Sequence, residues 1–213
     1  MSTNHPPLID ALLRPGVLAG SGGEAELVET HLSWVLLAGE HAYKVKKPVD
    51  FGFVNFGTLE RRRAFCEEEL RLNRRFAPGL YLEVQAIRGR PDAPRLDGDG
   101  APIEYMVKMR RFRREDELSA LAREGRLTAG IVTALAAVVA DFHARSAARP
   151  PDPAWGSAAQ VLDHCMGNFR ALAQAPLAAD EHARLRALER WTQTEHARLA
   201  PSSTARQAAG FLR

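Results

Sequence analysis

A lysine-rich stretch and the charged segment after it constrain this chain more than any other part of its sequence. Residues 42–47 predict a strand, and residues 58–76 predict a helix that carries Glu67, Glu68 and Glu69 near its middle. A strand lysine and a glutamate on the next helix can form an ion pair, which holds the amine still for the phosphates of a nucleotide. The alternative is a half-exposed strand with solvated lysines, followed by a surface helix.

The predicted strand points alternate side chains to opposite faces. Tyr43 and Val45 are assigned to the core face, whereas Ala42, Lys44 and Lys46 share the other face. A small residue two positions before a lysine leaves a flat place for an adenine base, with the amine beyond it. Ala42 and Lys44 are therefore candidate nucleotide-binding residues, and Lys46 is an alternative to Lys44.

The three glutamates of the predicted helix differ in their relation to its apolar face. Glu68 and Glu69 lie on or beside that face, whereas Glu67 is rotated off it. A carboxylate on the buried side of a helix needs a partner, and Lys44 is the natural one. The residues that define the apolar face are Phe65, Leu72 and Phe76.

A predicted turn at residues 31–34 precedes the second strand. In a nucleotide-binding sheet this turn would lie above the phosphates, where Ser33 would donate to a phosphate oxygen. The alternative is that Ser33 serves the turn itself, as serine commonly does.

The pattern of strands and helices predicts an α+β chain with two parts. Residues 1–112 are expected to hold a five-stranded antiparallel sheet and one main helix, and residues 113–213 are expected to be all helical. The long apolar segment 128–147 is expected to be a core helix. The predicted strands lie within 26–46 (three of them), 80–87 and 103–109, and the predicted helices are 6–13, 58–76, 118–124, 128–147, 160–173 and 180–200.

Composition excludes several classes of function. A formal net charge of +3 is too small to favour nucleic acid, so the arginines of residues 110–114 are interpreted as a solvated hinge. The two cysteines are isolated, which argues against zinc ligation and suits a reducing cytoplasm. The N-terminus has no signal-peptide pattern, and the longest apolar run, 131–140, is about half the length needed to cross a bilayer.

Three phrases of the sequence resemble one bacterial family. Residues 29–35 (ETHLSWV), 43–49 (YKVKKPV) and 65–75 (FCEEELRLNRR) are similar to a branch of the aminoglycoside phosphotransferase-like kinases, whose kinase-like domain is often joined to a P-loop NTPase domain. The resemblance covers nearly the whole chain. It implies a bilobal, protein-kinase-like fold, with ATP and magnesium at the lobe junction and a small-molecule phosphate acceptor.

Site residues are carried over from the family by position. Lys44 would meet the nucleotide phosphates and pair with Glu68, which is favoured because Leu72 then stacks one turn below it. Lys108 would offer a backbone carbonyl, and Arg110 a backbone amide, to the adenine edge. No residue is assigned to catalysis or to a metal ion.

The sequence departs from the family at the catalytic loop. No His-Gly-Asp or His-Arg-Asp occurs, and the chain ends at Arg213, about where that loop is expected. Phosphoryl transfer needs an aspartate at the acceptor hydroxyl and ligands for magnesium. We therefore expect a truncated, ATP-binding chain that is inactive alone and self-associates through uncovered helices. The alternatives are a non-catalytic nucleotide- or protein-binding remnant and, more weakly, an arginine-rich nucleic-acid module.

Overall fold

The computed structural model of the chain describes residues 5–18, 23–146 and 155–210. They form two compact units, Met1–Thr128 and Ala129–Arg213, the first with a sheet and helices and the second helical. The predicted α+β class is confirmed. The division falls later than residue 112 because the arginine-rich segment is bonded to the sheet, where the Arg111 amide donates to the Glu40 carbonyl at 2.8 Å. The predicted position of the catalytic loop, beyond residue 210, lies outside the described residues.

One antiparallel sheet organises the first unit. Its six strands are β1 Glu26–Glu29, β2 Ser33–Ala38, β3 His41–Lys46, β4 Tyr81–Arg90, β5 Ala93–Arg95 and β6 Glu104–Arg110. Their order across the sheet is β1-β2-β3-β6-β4-β5, and all neighbours are antiparallel. The predicted count of five was wrong. β5 is a three-residue strand within the segment expected to be a turn, and it is too short to carry a period-two pattern.

Alternation along β3 positions both the core and the site. Tyr43 and Val45 are almost fully buried in the core, as their side of the strand predicts. Lys44 and Lys46 project to the opposite face. The core around the tyrosine and valine includes Ile9, Leu12, Leu18, Leu36, Ile87 and Met106.

Helices complete the first unit, and the longest of them lies between β3 and β4 in the chain. Thr58 caps this helix, because its side-chain oxygen accepts from the Arg61 amide at 3.3 Å. The helix packs against β6 and β4. The helices are α1 Pro7–Leu12, α2 Leu59–Arg74 and α3 Leu118–Arg123, and a single 3-10 turn spans Arg114–Asp116.

The second unit contains three helices in its described residues. They are α4 Ala129–Arg145, α5 Ala158–Leu172 and α6 Ala179–Ala208. α5 packs on α6, and His196 Nε2 lies 2.6 Å from the Ala158 carbonyl oxygen. α6 continues through Pro201, beyond its predicted end at residue 200. The prediction that α4 is a core helix was wrong, since none of its residues is buried. The apolar content of α4 shows that this helix needs a surface to pack against. It does not show that the described residues provide that surface.

Candidate functional site

Two lysines of β3 meet one glutamate of α2. Lys44 Nζ lies 2.8 Å from Glu69 Oε1, and Lys46 Nζ lies 2.5 Å from Glu69 Oε2. The exposed fractions of the three side chains are 31% for Lys44, 6% for Lys46 and 13% for Glu69. Because residues two apart in a strand share a face, both amines reach the carboxylate that α2 presents to the sheet.

The glutamate that pairs with Lys44 is Glu69, so the choice of Glu68 was wrong. Glu68 is exposed and pairs with Arg71 on its own helix, with Oε1 2.6 Å from the Arg71 Nη2. Glu67 is exposed too and pairs with Arg63 at 2.8 Å. Successive helical residues are rotated by about 100° around the axis, so a shift of one position moves a carboxylate from solvent to the sheet.

The buried face of α2 explains this choice. The side chains that face the sheet are Arg62, Cys66 and Glu69, spaced by four and then three residues, as one helical face requires. Hydropathy alone would assign Arg62 to solvent, but its Nε donates to both carboxylate oxygens of Glu104 at 2.9 Å. Phe65, on the face predicted to be buried, is exposed. The spacing of Arg62, Cys66 and Glu69 is that of one helical face and could have predicted that they are buried together. Hydropathy could not, because it favours burial of the face that carries Phe65.

A second ion pair therefore joins α2 to the sheet beside the first. Arg62 also donates through Nη1 to the Phe56 carbonyl at 2.9 Å, and the Tyr105 amide donates to Glu104 Oε1 at 3.0 Å. The Arg62 and Glu104 side chains are both nearly buried. These hydrogen bonds satisfy both charges away from water, so the pair fixes the position of α2 on β6.

The pKa values of Glu69 and Cys66, which share this face of α2, are shifted in opposite directions. Burial raises the pKa of the Glu69 carboxyl, but hydrogen bonds and positive charge from Lys44 and Lys46 outweigh burial and hold the pKa below its usual value. Burial likewise raises the pKa of the Cys66 thiol, to about 12, because the opposing positive charges of Lys46 and Lys44 do not cancel the effect of burial here. Glu69 is therefore ionised at neutral pH, and Cys66 is a protonated, inert thiol.

A cavity of about 890 Å³ opens on the sheet face that carries Lys44. Its floor is apolar, and Lys44 lies on its wall. Lys46 and Glu69 do not line it, so of the two lysines only Lys44 faces the cavity. The apolar lining comes mainly from Val28, Val35, Leu37, Ala42 and Met109, and the polar lining includes Thr30, Ser33, Tyr81, Arg111, Arg114 and Arg123.

Two further predicted residues, Ser33 and Ala42, also line this cavity. Ala42 is buried on the strand beside Lys44, where it keeps the floor flat. Ser33 is buried at the start of β2, so the turn predicted at residues 31–34 is shorter than expected, and the Ser33 amide donates to the Thr30 hydroxyl at 3.0 Å. The Ser33 backbone therefore closes the turn before β2, and the turn residues His31 and Leu32 also line the cavity.

The structure does not bring Lys108 and Arg110 to the cavity. Lys108 lies inside β6 with β3 and β4 on either side, and its amine pairs with Glu83 at 3.2 Å. The Arg110 amide donates to the Leu80 carbonyl at 2.8 Å, so it is not available to a base edge. The predicted adenine contact of Arg110 was wrong, because β6 ends one residue later than expected and includes this residue.

The arginines after β6 are mostly paired with acids of the same unit. Arg111 lies 3.2 Å and Arg114 lies 3.3 Å from carboxylate oxygens of Glu26. Arg113 pairs with Asp116 at 3.1 Å. Pairs with acids reduce the field that a polyanion would meet, so this segment is a weak candidate for nucleic-acid binding.

The described residues contain neither a cluster of metal ligands nor a helix that could span a membrane. No group of three histidine, cysteine, aspartate or glutamate side chains in that part of the chain could hold a metal ion. None of the helices traced over the same residues is long and apolar enough to cross a membrane.

The site is a sheet-lined cavity with Lys44 on its wall, and Glu69 pairs with that lysine from outside the lining. The sequence is similar to three proteins, each described as uncharacterized, from Mycobacterium bovis and two strains of Mycobacterium tuberculosis. Each is 37% identical to this chain over 118 residues, which is 55% of this chain and only 22% of the relative. No known family model matches the chain, and no solved structure matches it significantly.

Proposed function

We propose that this chain binds a nucleoside triphosphate, ATP in the first instance, as the nucleotide-binding part of a kinase-like phosphotransferase of small molecules. The observation that carries the proposal is the Lys44 amine, which Glu69 holds at 2.8 Å on the wall of a cavity of about 890 Å³. An amine fixed in this way meets phosphate oxygens without the entropy loss of ordering a free lysine.

The shape and lining of the cavity support a nucleotide as ligand. Its volume lies within the range of about 300–1,000 Å³ that is usual for small-molecule sites. The apolar floor around Ala42 and Met109 suits a base, and Ser33 at the start of β2 also lines the cavity. A base on the floor and phosphates toward Lys44 would use both parts of the lining.

Charge in the cluster also favours an anion. Lys44 and Lys46 contribute two positive charges and Glu69 contributes one negative charge, which leaves +1 in a largely buried place. A buried excess charge attracts a counter-ion more strongly than a solvated one. A phosphate group at Lys44 would supply that counter-ion.

The order of elements supports the kinase-like part of the proposal. The lysine-bearing strand β3 precedes α2, two longer strands follow, and helices come last. This is the order implied by the resemblance to the aminoglycoside phosphotransferase-like kinases. The proposal assigns no catalytic base, no magnesium ligand and no identity to the phosphate acceptor.

The experiment is a binding measurement with a matched lysine control. ATP with magnesium is titrated into the wild-type chain, Lys44→Ala and Lys47→Ala, with calorimetry and thermal melting as readouts. Lys47 is the adjacent lysine, but it pairs with Glu29 at 2.5 Å and does not line the cavity. Loss of one charge-assisted contact predicts at least about tenfold weaker binding for Lys44→Ala. Equal affinity in Lys44→Ala and wild type, or no binding to wild type, would refute the proposal.

A further inference from the structure

Lys46 does not line the cavity, yet it is the more deeply buried of the two lysines. Its side chain is only 6% exposed, and its amine lies 2.5 Å from Glu69 Oε2. The same amine lies 5.1 Å from the centre of the Phe56 ring, which is within the range of a cation–π contact. A lysine is rarely buried unless its charge is paired, so this position is specific.

We propose that Lys46 is a positioning residue for the nucleotide site: it anchors one oxygen of Glu69 so that the other oxygen holds the Lys44 amine at the cavity wall. This inference rests on the proposed function, since its consequence is the affinity for phosphate. Lys46 itself does not touch the ligand, because it does not line the cavity.

The proposal depends first on the geometry of the Glu69 carboxylate. A carboxylate has two oxygens, and in this site each oxygen accepts from a different lysine. A glutamate held at one oxygen only would rotate about its last side-chain bond, which is a soft torsion. With Lys46 on Oε2, the direction of Oε1 is fixed, and so is the place of the Lys44 amine.

Contacts around the Lys46 side chain hold that side chain itself in place. Phe56 is buried below the amine and packs edge-on against Phe65 at 4.9 Å. The Phe56 carbonyl accepts from Arg62, which is locked to Glu104. The anchor is therefore fixed by the sheet on one side and by the loop before α2 on the other.

Lys44 and Lys46 differ in their access to the cavity. Lys44 is 31% exposed and lines the cavity, whereas Lys46 is closed off from it. One amine can meet a ligand, and the other can only order the acid that both share. Removal of Lys46 should therefore weaken the grip on phosphate while the surface that would receive the base stays unchanged.

The test compares ATP with adenosine, which lacks the phosphates. Kd values for both are measured with the wild-type chain, Lys46→Met and Lys46→Gln, where the second variant keeps a polar atom near Glu69 if the first does not fold. We expect ATP to bind about tenfold more weakly to the Lys46 variants, as for one lost charge-assisted hydrogen bond, and adenosine to bind equally. Unchanged ATP affinity in the Lys46 variants, or an equal loss for adenosine, overturns the inference.

Two controls separate positioning from general destabilisation and from a charge effect at a distance. Leu12→Ala destabilises the core on the α1 side of the sheet without touching Glu69, Lys46 or the cavity, so its ratio of ATP to adenosine affinity should match wild type. In a Glu69→Gln background, Lys46→Met should weaken ATP binding by less than about threefold, since coupled residues are not additive. A tenfold loss in that background, or the same loss in Leu12→Ala, also overturns the inference. If wild type does not bind ATP at all, the proposed function fails before this inference is reached.

Discussion

Lys44 and Glu69 are 25 residues apart in the sequence, yet the Lys44 Nζ lies 2.8 Å from the Glu69 Oε1. The contact joins the middle of β3 to the buried face of α2. Glu69 also pairs with Lys46. In the described part of the chain, Glu69 is therefore the only acid that forms an ion pair with either of these two largely buried amines. The position of this one carboxylate therefore governs both the docking of α2 and the direction of the Lys44 amine.

The first prediction is that Glu69 stabilises the fold far more than Glu68. Glu69→Gln leaves two largely buried ammonium groups without a negative partner, and we expect a loss of about 3 kcal/mol in the free energy of unfolding. Glu68→Gln removes an exposed pair with Arg71 and should cost less than about 1 kcal/mol. Urea unfolding followed by the fluorescence of the buried Trp34 measures both. Similar losses for the two variants would mean that α2 does not present Glu69 to the sheet.

The second prediction concerns acid. The pKa of Glu69 in the folded chain is lowered from 4.5, because the lysines outweigh the effect of burial. A lowered pKa means that the ionised acid contributes stability above about pH 4.5, and that this contribution is lost as the pH falls through the folded value. We expect the free energy of unfolding to fall below this pH, and the fall to be shallower in Glu69→Gln.

The control for this pH dependence is Glu68→Gln. The pKa of Glu68 is also lowered, through the hydrogen bond from Arg71, but this group is exposed and screened by water. Unfolding free energies from pH 3 to 7 should therefore follow the wild-type profile closely in Glu68→Gln. Identical slopes in wild type and Glu69→Gln would contradict the prediction.

Sequence reasoning located the elements of this site better than its contacts. A helix was predicted over residues 58–76 and α2 spans Leu59–Arg74, and the alternation of β3 correctly assigned Tyr43 to the core. The choice between Glu68 and Glu69 failed because it depends on the rotation of α2 about its axis. That rotation is set by Arg62, which hydropathy assigns to solvent, and by its partner on β6. Long-range pairing of charges leaves no local pattern in a sequence.

The third prediction follows from that hidden pair. Arg62→Met leaves Glu104 buried and unpaired, and we expect a loss of about 3 kcal/mol in the free energy of unfolding. The double variant Arg62→Met, Glu104→Gln should recover much of the loss, because no buried charge then remains without a partner. Arg63→Met is the matched control: Arg63 pairs with Glu67 on the exposed side of α2, so its loss should stay below about 1 kcal/mol. If the two single variants are equally stable, Arg62 is not buried in solution.

The fourth prediction distinguishes the two cysteines. Burial raises the pKa of Cys66 to about 12, and its side chain is fully covered, whereas Cys165 is half-buried on α5. The thiolate is the reactive form, so at pH 8 a disulfide reagent should label Cys165 quickly and Cys66 only after denaturation. Cys165→Ser should then show almost no labelling of the native chain. Rapid labelling in that variant would show that α2 opens from the sheet.

The last prediction concerns the apolar face of α4. Leu135 and Val138 lie one turn apart and are exposed by 40% and 52%. Apolar area of this kind drives association in water, so we propose that the chain associates with itself through this helix at high concentration. Sedimentation should show a concentration-dependent dimer for wild type and a monomer for the double variant Leu135→Glu, Val138→Glu. Thr133→Glu adds a charge on the opposite side of α4 and should behave as wild type. A wild-type chain that stays monomeric throughout, or a dimer that persists in the double variant, would contradict the role of α4.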